Sequence, residues 1–387
     1  MLLVGVILRI GLAALFPSLP QFLSAQVELS TPVSSFSRLQ EGVYLYKHLS
    51  SPYQGNVFFQ SPLLLSLFSV LPVQNSFYVS VFYALVDGWT AYNLAKIAKA
   101  RPITSFSPNT IALLYLMNPF SMLGGLARST LIFTNWAIVA SVQAAIAARP
   151  IKSVVLIALA SCLSLYPLYL VLPIFSLCLQ NSYRYSFRSM VLALIGSIGA
   201  FSALGYLPLQ SWNFLDKQYL TSLLFRDLSQ PNLGVWWYYF IEMFAPFRPF
   251  FVGVFQLFLG SFPVGLTIRF PHEPLFVISA VVGLLAIFKP YPEVADIGLF
   301  LTLLALNKRV VGLMRYRLVV ILGLLYVSAL APTFYNLWVY RGSGNANFFY
   351  AITLVYTLTV ALALSDAIWA AVRLDYDGGR GRNLMQL

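Results

Sequence analysis

Charge is what this chain has least of. Of its 387 residues only 9% are charged, against about 25% in soluble domains, while 59% are hydrophobic. That balance excludes a water-soluble globular fold, because too little polar surface is available to cover a core of that size. Thiols and imidazoles are nearly absent, with 2 cysteines and 2 histidines. Cys162 and Cys178 lie in apolar runs without metal-ligand spacing, and His48 and His272 fall on opposite sides of the topology derived below. A disulfide framework, a zinc site and a Cys/His or Ser/His catalytic arrangement therefore have no support. Neither a GxGxxG nor a GxxxxGK[ST] phosphate cradle occurs, so no nucleotide cofactor is implied. Acidic residues number 12, and the long segment before Asp87 offers Glu28 and Glu41 but no Asp. A closely spaced carboxylate pair for hydrolysis, sugar transfer or metal binding is missing there.

What remains is a chain of apolar runs, several of them too short for one straight spanning helix, and the fold class expected is an all-α polytopic membrane protein. The first run, Met1 to Phe16, is interrupted only by Arg9 and lacks the leading positive charge of a signal peptide, so it reads as a retained helix. Residues 18–75 form a luminal loop with interfacial helices; within it the run 62–73 is too short to span the bilayer and is stopped by Pro72. Further runs at 76–97, 108–124, 130–148, 153–165, 168–181, 189–208, 236–267, 274–288, 292–307, 316–338 and 349–372 bring the expectation to about twelve crossings. The pairs Tyr166-Pro167 and Lys289-Pro290 mark tight hairpins or broken helices. One membrane domain thus covers 1–387, with a second luminal loop at 209–235 and a cytosolic tail at 373–387.

Charge placement agrees with that count. With a cytosolic N-terminus, the cytosolic loops collect Lys96, Lys99, Arg101, Arg149, Lys152, Arg184, Arg188, Arg269, Lys308, Arg309, Arg315, Arg317, Arg373, Arg380 and Arg382. The opposite side holds fewer, partly matched by acids such as Asp216 and Asp227 near Lys217 and Arg226. The excess of 24 basic over 12 acidic residues is then loop placement of the positive-inside kind, and nucleic acid is not an expected partner; membrane lipids are. Trp212, Trp236, Trp237, Trp338 and Tyr340 cluster at the non-cytosolic edge, as interfacial aromatics do. Ionisable residues within the runs are Asp87, Glu242, Arg248, Asp296 and Asp366, for which internal pairing is the expected role: Asp366 with Arg373 on one helical face, Glu242 with Arg248 around the Pro246 kink.

The loop Arg341-Gly342-Ser343-Gly344-Asn345-Ala346-Asn347 stands apart, since it follows Trp338-Val339-Tyr340 and opens the last helix at Phe348-Phe349-Tyr350. Small residues admit a ligand to the backbone, asparagines supply donors and acceptors, and a helix N-terminus favours an anion. An ordinary helix cap explains the same residues, and sequence alone leaves the two readings even.

At this loop the chain resembles the phosphatidylinositol-glycan class U family, the multi-spanning subunit of the glycosylphosphatidylinositol (GPI) transamidase. The resemblance covers nearly the whole chain: Gly342 through Thr353, Leu116-Met117-Asn118-Pro119-Phe120, Ser164 through Leu168, Pro231 through Tyr238 leading into Glu242-Met243-Phe244, His272-Glu273-Pro274, and Ala286 through Pro292. That family is in turn similar to the GPI mannosyltransferases, with a GT-C-type scaffold, through the stretch from Glu41-Gly42 to Ser61-Pro62-Leu63-Leu64. Where those enzymes carry an Asp-x-Asp-type motif, this chain has Gln26-Val27-Glu28. The resemblance therefore implies a retired glycosyltransferase scaffold in the endoplasmic reticulum membrane, non-catalytic and without cofactor, with the peptide-cleaving Cys/His chemistry in another transamidase subunit. It implies a GPI headgroup site at Asn345 and Asn347, then Ser343 and Arg341, with Phe348 and Trp338 along the lipid side. Arg341 departs from the residue expected in other members. The competing reading is a polyprenol-phosphate-sugar glycosyltransferase dependent on Glu28 or Glu41.

Overall fold

The computed structural model describes residues 2–48, 51–182, 185–225 and 230–378. Arg184, Arg226, Asp227, Arg380, Arg382 and most of the expected tail lie outside the described residues. Every regular element among the described residues is a helix. Local chemistry sets many of the starts. Ser61-Pro62, Ser107-Pro108 and Asn118-Pro119 each place a side-chain acceptor at the N-cap and a fixed-φ proline in the first turn, bonding the amides of Leu63, Thr110 and Phe120.

These starts also explain where the runs break. The apolar stretch 108–124 is two helices, Pro108–Leu116 and Pro119–Leu126, because Asn118-Pro119 restarts the ladder. The stretch 236–267 likewise divides into Trp236–Glu242 and Arg248–Arg269 at the Ala245-Pro246 turn. Breaks fall at both proline pairs named above: Pro150–Leu163 gives way to a 3₁₀ turn at Tyr166–Leu170, and Pro274–Phe288 is separated from Val294–Ala305. The segment after the first helix, Leu2–Leu15, carries three short helices, Leu19–Ser24, Phe36–Lys47 and Pro62–Val70.

Among the described residues, four helices are long and apolar enough to cross a membrane: Phe187–Leu209, Ala245–Arg269, Arg317–Tyr340 and Ala346–Tyr376. Shorter apolar helices, including Leu131–Ile146 and Pro150–Leu163, pack among them. At the centre lies Pro274–Phe288, in which every residue from Pro274 to Ile287 is buried. Val294–Ala305, Ala346–Tyr376, Val171–Asn181 and Arg248–Arg269 surround it. Small residues let the neighbours close in. A Cβ added at Gly298 would come within 2.8 Å of the Ser121 backbone nitrogen, so the Pro119–Leu126 helix sits against bare backbone there. The last two long helices, Arg317–Tyr335 and Ala346–Tyr376, pack side by side, and the loop between them carries the polar heptapeptide.

A polar loop over an aromatic floor

The Arg317–Tyr335 helix ends in an over-wide π turn, Asn336–Tyr340, so the chain leaves its axis early. Gly342, at φ +61°, then reverses direction in the left-handed region that an L side chain rarely adopts. The turn is pinned by backbone bonds from Arg341 N to Asn336 O at 3.0 Å and from Ser343 N and Gly344 N to Leu337 O at 3.0 and 3.2 Å. Asn345 is extended at φ −137° and is the N-cap of Ala346–Tyr376, its Oδ1 accepting from Phe348 N at 3.3 Å. The cap reading of the loop therefore holds for Asn345. Asn347 does something else: its Oδ1 accepts a short hydrogen bond from the Tyr238 hydroxyl.

Both asparagines, Arg341 and Ser343 are exposed. The Nδ2 groups of Asn345 and Asn347 bond no other described residue, and Ser343 Oγ reaches Leu337 O only at 3.5 Å. Unused donors thus lie in the exposed loop at the positive end of a 31-residue helix, and Arg341 belongs to the same loop. That arrangement can take a phosphate or a hydroxyl-rich headgroup.

Beneath the loop is a floor that sequence reasoning did not assemble. Tyr238 stacks on Tyr350 at 4.5 Å and 23°, Trp237 on Trp338 at 6.0 Å and 23°, and Trp338 on Phe349 at 6.4 Å and 28°. Trp237 and Phe349 are buried, whereas Tyr238 is positioned so that its hydroxyl meets Asn347. Trp338 belongs to this floor; Phe348 faces the other way, stacked on Phe334 at 5.9 Å and 53% exposed. The aromatic cluster at one membrane edge was the available signal for Tyr238 and Trp237, but nothing in their spacing ties them to a loop more than a hundred residues later. Trp212, from the same expected cluster, instead stacks on Tyr206 at 4.7 Å.

The ionisable residues within the runs are mostly spent inside the protein. Asp87 accepts from Arg9 Nε at 3.1 Å and from the Tyr115 hydroxyl at 3.0 Å, all three buried. Asp296 pairs with Lys289 at 2.6 Å and accepts from Glu293 N at 2.8 Å. Glu293, which sequence reasoning passed over, accepts from the hydroxyls of Thr31 at 2.9 Å, Ser129 at 2.5 Å and Ser34. It ties the N-terminal segment, the 129–130 turn and the break after Pro290 into one buried cluster. Two expected pairs do not form. Asp366 accepts from the orphan amides of Arg315 and Tyr316 at 3.1 and 2.8 Å, ahead of the Arg317–Tyr335 helix, while Arg373 lies 3.7 Å from Asp377. Glu242 is exposed and makes no ion pair with Arg248, whose guanidinium lies 5.9 Å from the Phe225 ring centroid. Glu41 is exposed, and Glu28 is buried at 5% exposure.

Comparison with known proteins adds the following. The family model for the GPI transamidase subunit PIG-U matches residues 3–356. The chain is 38% identical over 377 residues to the GPI transamidase component GAB1 of Saccharomyces cerevisiae, covering 96% of this chain and 94% of that protein. It is 32% identical over 366 residues to the GAB1 homolog of Schizosaccharomyces pombe, covering 92% and 89%. It is 32% identical over 403 residues to the GPI-anchor transamidase component PIGU of Homo sapiens, covering 94% and 92%.

Proposed function

The chain belongs to the PIG-U family of GPI transamidase subunits, and from that premise we propose that it is the non-catalytic subunit that binds the GPI glycolipid and positions it for attachment to protein C-termini. In this reading it is a multi-pass protein of the endoplasmic reticulum membrane, with about twelve crossings on a GT-C-like scaffold, assembled with the subunit that carries the catalytic cysteine. The observation that carries the reading is the exposed loop at the N-terminus of Ala346–Tyr376. There Tyr238 holds the Oδ1 of Asn347 so that its Nδ2 is left to donate outward.

The loop would hold a phosphate or sugar of the headgroup through the Asn345 and Asn347 amides, with Ser343 and Arg341 beside them. The exposed Phe348 would meet the lipid directly, and Trp338 would support the site from the floor beneath it. A glycolipid fixed at that point presents its reactive end to a partner in one orientation, which lowers the entropic part of the barrier without supplying a chemical group. The glycosyltransferase alternative is not favoured: Glu28 is buried at 5% exposure in a mostly apolar wall, and Glu41 stands exposed on the Phe36–Lys47 helix with no second exposed carboxylate in the 18–75 segment to work with it.

The test is Asn345→Ala plus Asn347→Ala in cells lacking the native chain, with surface display of GPI-anchored proteins and pull-down of the complex read together. The expected result is an assembled complex with uncleaved precursor and free GPI accumulating. Normal display would reduce the asparagines to a helix cap and overturn the site.

A further inference from the structure

Among the described residues the Glu28 carboxyl meets no donor beyond its own backbone amide. Both oxygens are buried, while the backbone carbonyl accepts from Val294 N at 3.0 Å and fixes the residue in place. Glu28 lines a cavity of about 220 Å³ whose wall is mostly apolar, with Phe120, Ile297, Val327 and Ala331 in it and the Gln26 amide beside them; its carboxyl oxygens lie just behind that wall. The hydroxyls in that wall do not serve it. Ser328 donates to Leu324 O at 2.7 Å and Tyr356 to Ala286 O at 3.0 Å. A buried carboxyl left in this state is costly, and burial pushes its pKa up to about 7. The Gln26 amide in the same wall is turned to Phe22 O at 3.5 Å, so no described side chain supplies a partner.

The cavity's exposed lining residues, Phe22, Ser328 and Pro332, mark its mouth between the Leu19–Ser24 and Arg317–Tyr335 helices. The second of these lies in one of the four helices apolar enough to cross a membrane, and Leu318, Ile321, Leu322 and Leu325 are exposed along it. The mouth therefore opens sideways onto hydrocarbon. What enters from there has an apolar chain, and what satisfies two acceptor oxygens in an apolar wall is a group with several donors and a positive charge. A hydroxyl supplies one donor and no charge; an ammonium supplies three donors and the charge. We propose that this pocket is a second lipid site, independent of the Arg341–Asn347 loop, which takes a chain of a lipid bearing a primary amine and holds its ammonium on the Glu28 carboxylate.

The experiment uses the full-length chain in phosphatidylcholine nanodiscs doped with a photoactivatable acyl-chain probe on phosphatidylethanolamine, on its N-acetylated form or on phosphatidylcholine, followed by peptide mapping. Labelling of the 19–29 and 317–335 segments is expected to be about tenfold stronger with phosphatidylethanolamine, the worth of one charge-assisted hydrogen bond. Blocking the amine, or Glu28→Gln, should bring it down to the phosphatidylcholine level. The blocked lipid on the unaltered chain keeps the test decisive if the Gln variant folds poorly. Equal labelling by all three probes would mean a pocket that takes any chain, and no labelling would mean one closed or filled by protein; either overturns the proposal.

Discussion

Two polar regions of this molecule sit at the same edge of the helix bundle and are built on opposite rules. Around Glu293, hydroxyls from Thr31, Ser34 and Ser129 spend their protons on one carboxylate, and Lys289 closes on Asp296 beside it. The polar groups there are engaged with one another. In the Arg341–Asn347 loop the backbone is just as firmly tied, through Leu337 and Asn336, yet the side-chain donors are exposed and unspent. On the proposed function, the difference separates polarity that serves the fold from polarity that serves a partner. In an apolar protein the first kind must be saturated, because each unpaired buried group costs a sizeable part of the total stability. The second kind is recognisable by donors left over on a rigid frame.

The comparison predicts its own extremes. Glu293→Ala takes the shared acceptor from three buried hydroxyls, of which Thr31 and Ser34 can still bond each other while Ser129 is left without an acceptor, and it loosens the N-terminal segment on the Val294–Ala305 helix. A loss of about 3–5 kcal/mol is expected, read as a large drop in the melting temperature and in the yield of folded chain. If the melting temperature is unchanged, the cluster is not structural and the contrast with the loop fails. Asp87→Ala follows closely, since it leaves the Arg9 cation 2% exposed and without its carboxylate. Here the sharper measurement is a double-mutant cycle: Arg9→Met with Asp87→Leu should regain most of what either single change loses, because a buried pair is worth little more than apolar groups of the same shape. The Asn345→Ala plus Asn347→Ala change stands at the other end, with a stability loss of only about 1 kcal/mol from the missing cap and its main effect on GPI attachment.

How much of this was readable beforehand follows the same division. The all-helical membrane class, the helix breaks at Tyr166-Pro167 and Lys289-Pro290 and the short Pro62–Val70 helix were legible, since apolar run length and proline are local signals. Asn345 at a helix start was legible for the same reason. The ion pairs were not. Asp366 and Arg373 lie on one face of one helix, so local spacing joined them, but the orphan amides before Arg317 outbid Arg373 by coming from a different segment. Glu293 was invisible because its three hydroxyl partners are scattered between residues 31 and 129. Hydropathy has the same blindness. Phe187–Leu209 and Pro274–Phe288 are both apolar all round, yet only Met190 and Gly205 are buried in the first, while nearly all of the second is. Composition says that a segment avoids water; it does not say whether protein or lipid replaces it.

The smallest expected effect is also the one that tests the loop most directly. Tyr238→Phe removes a single hydroxyl and keeps the ring stacked on Tyr350, so the melting temperature should move by no more than the worth of one exposed hydrogen bond, about 0.5–1 kcal/mol. If the hydroxyl only caps a spare acceptor, GPI attachment stays at the native level. If it orients the Asn347 amide toward a headgroup, attachment falls several-fold, and combining Tyr238→Phe with Asn347→Ala adds nothing beyond Asn347→Ala alone, because the two residues act as one unit. Additive losses would mean that Tyr238 contacts the lipid by its own route. The floor would then be part of the site rather than its support, and the boundary between structural and functional polarity would run one layer deeper than the hydrogen bonds place it.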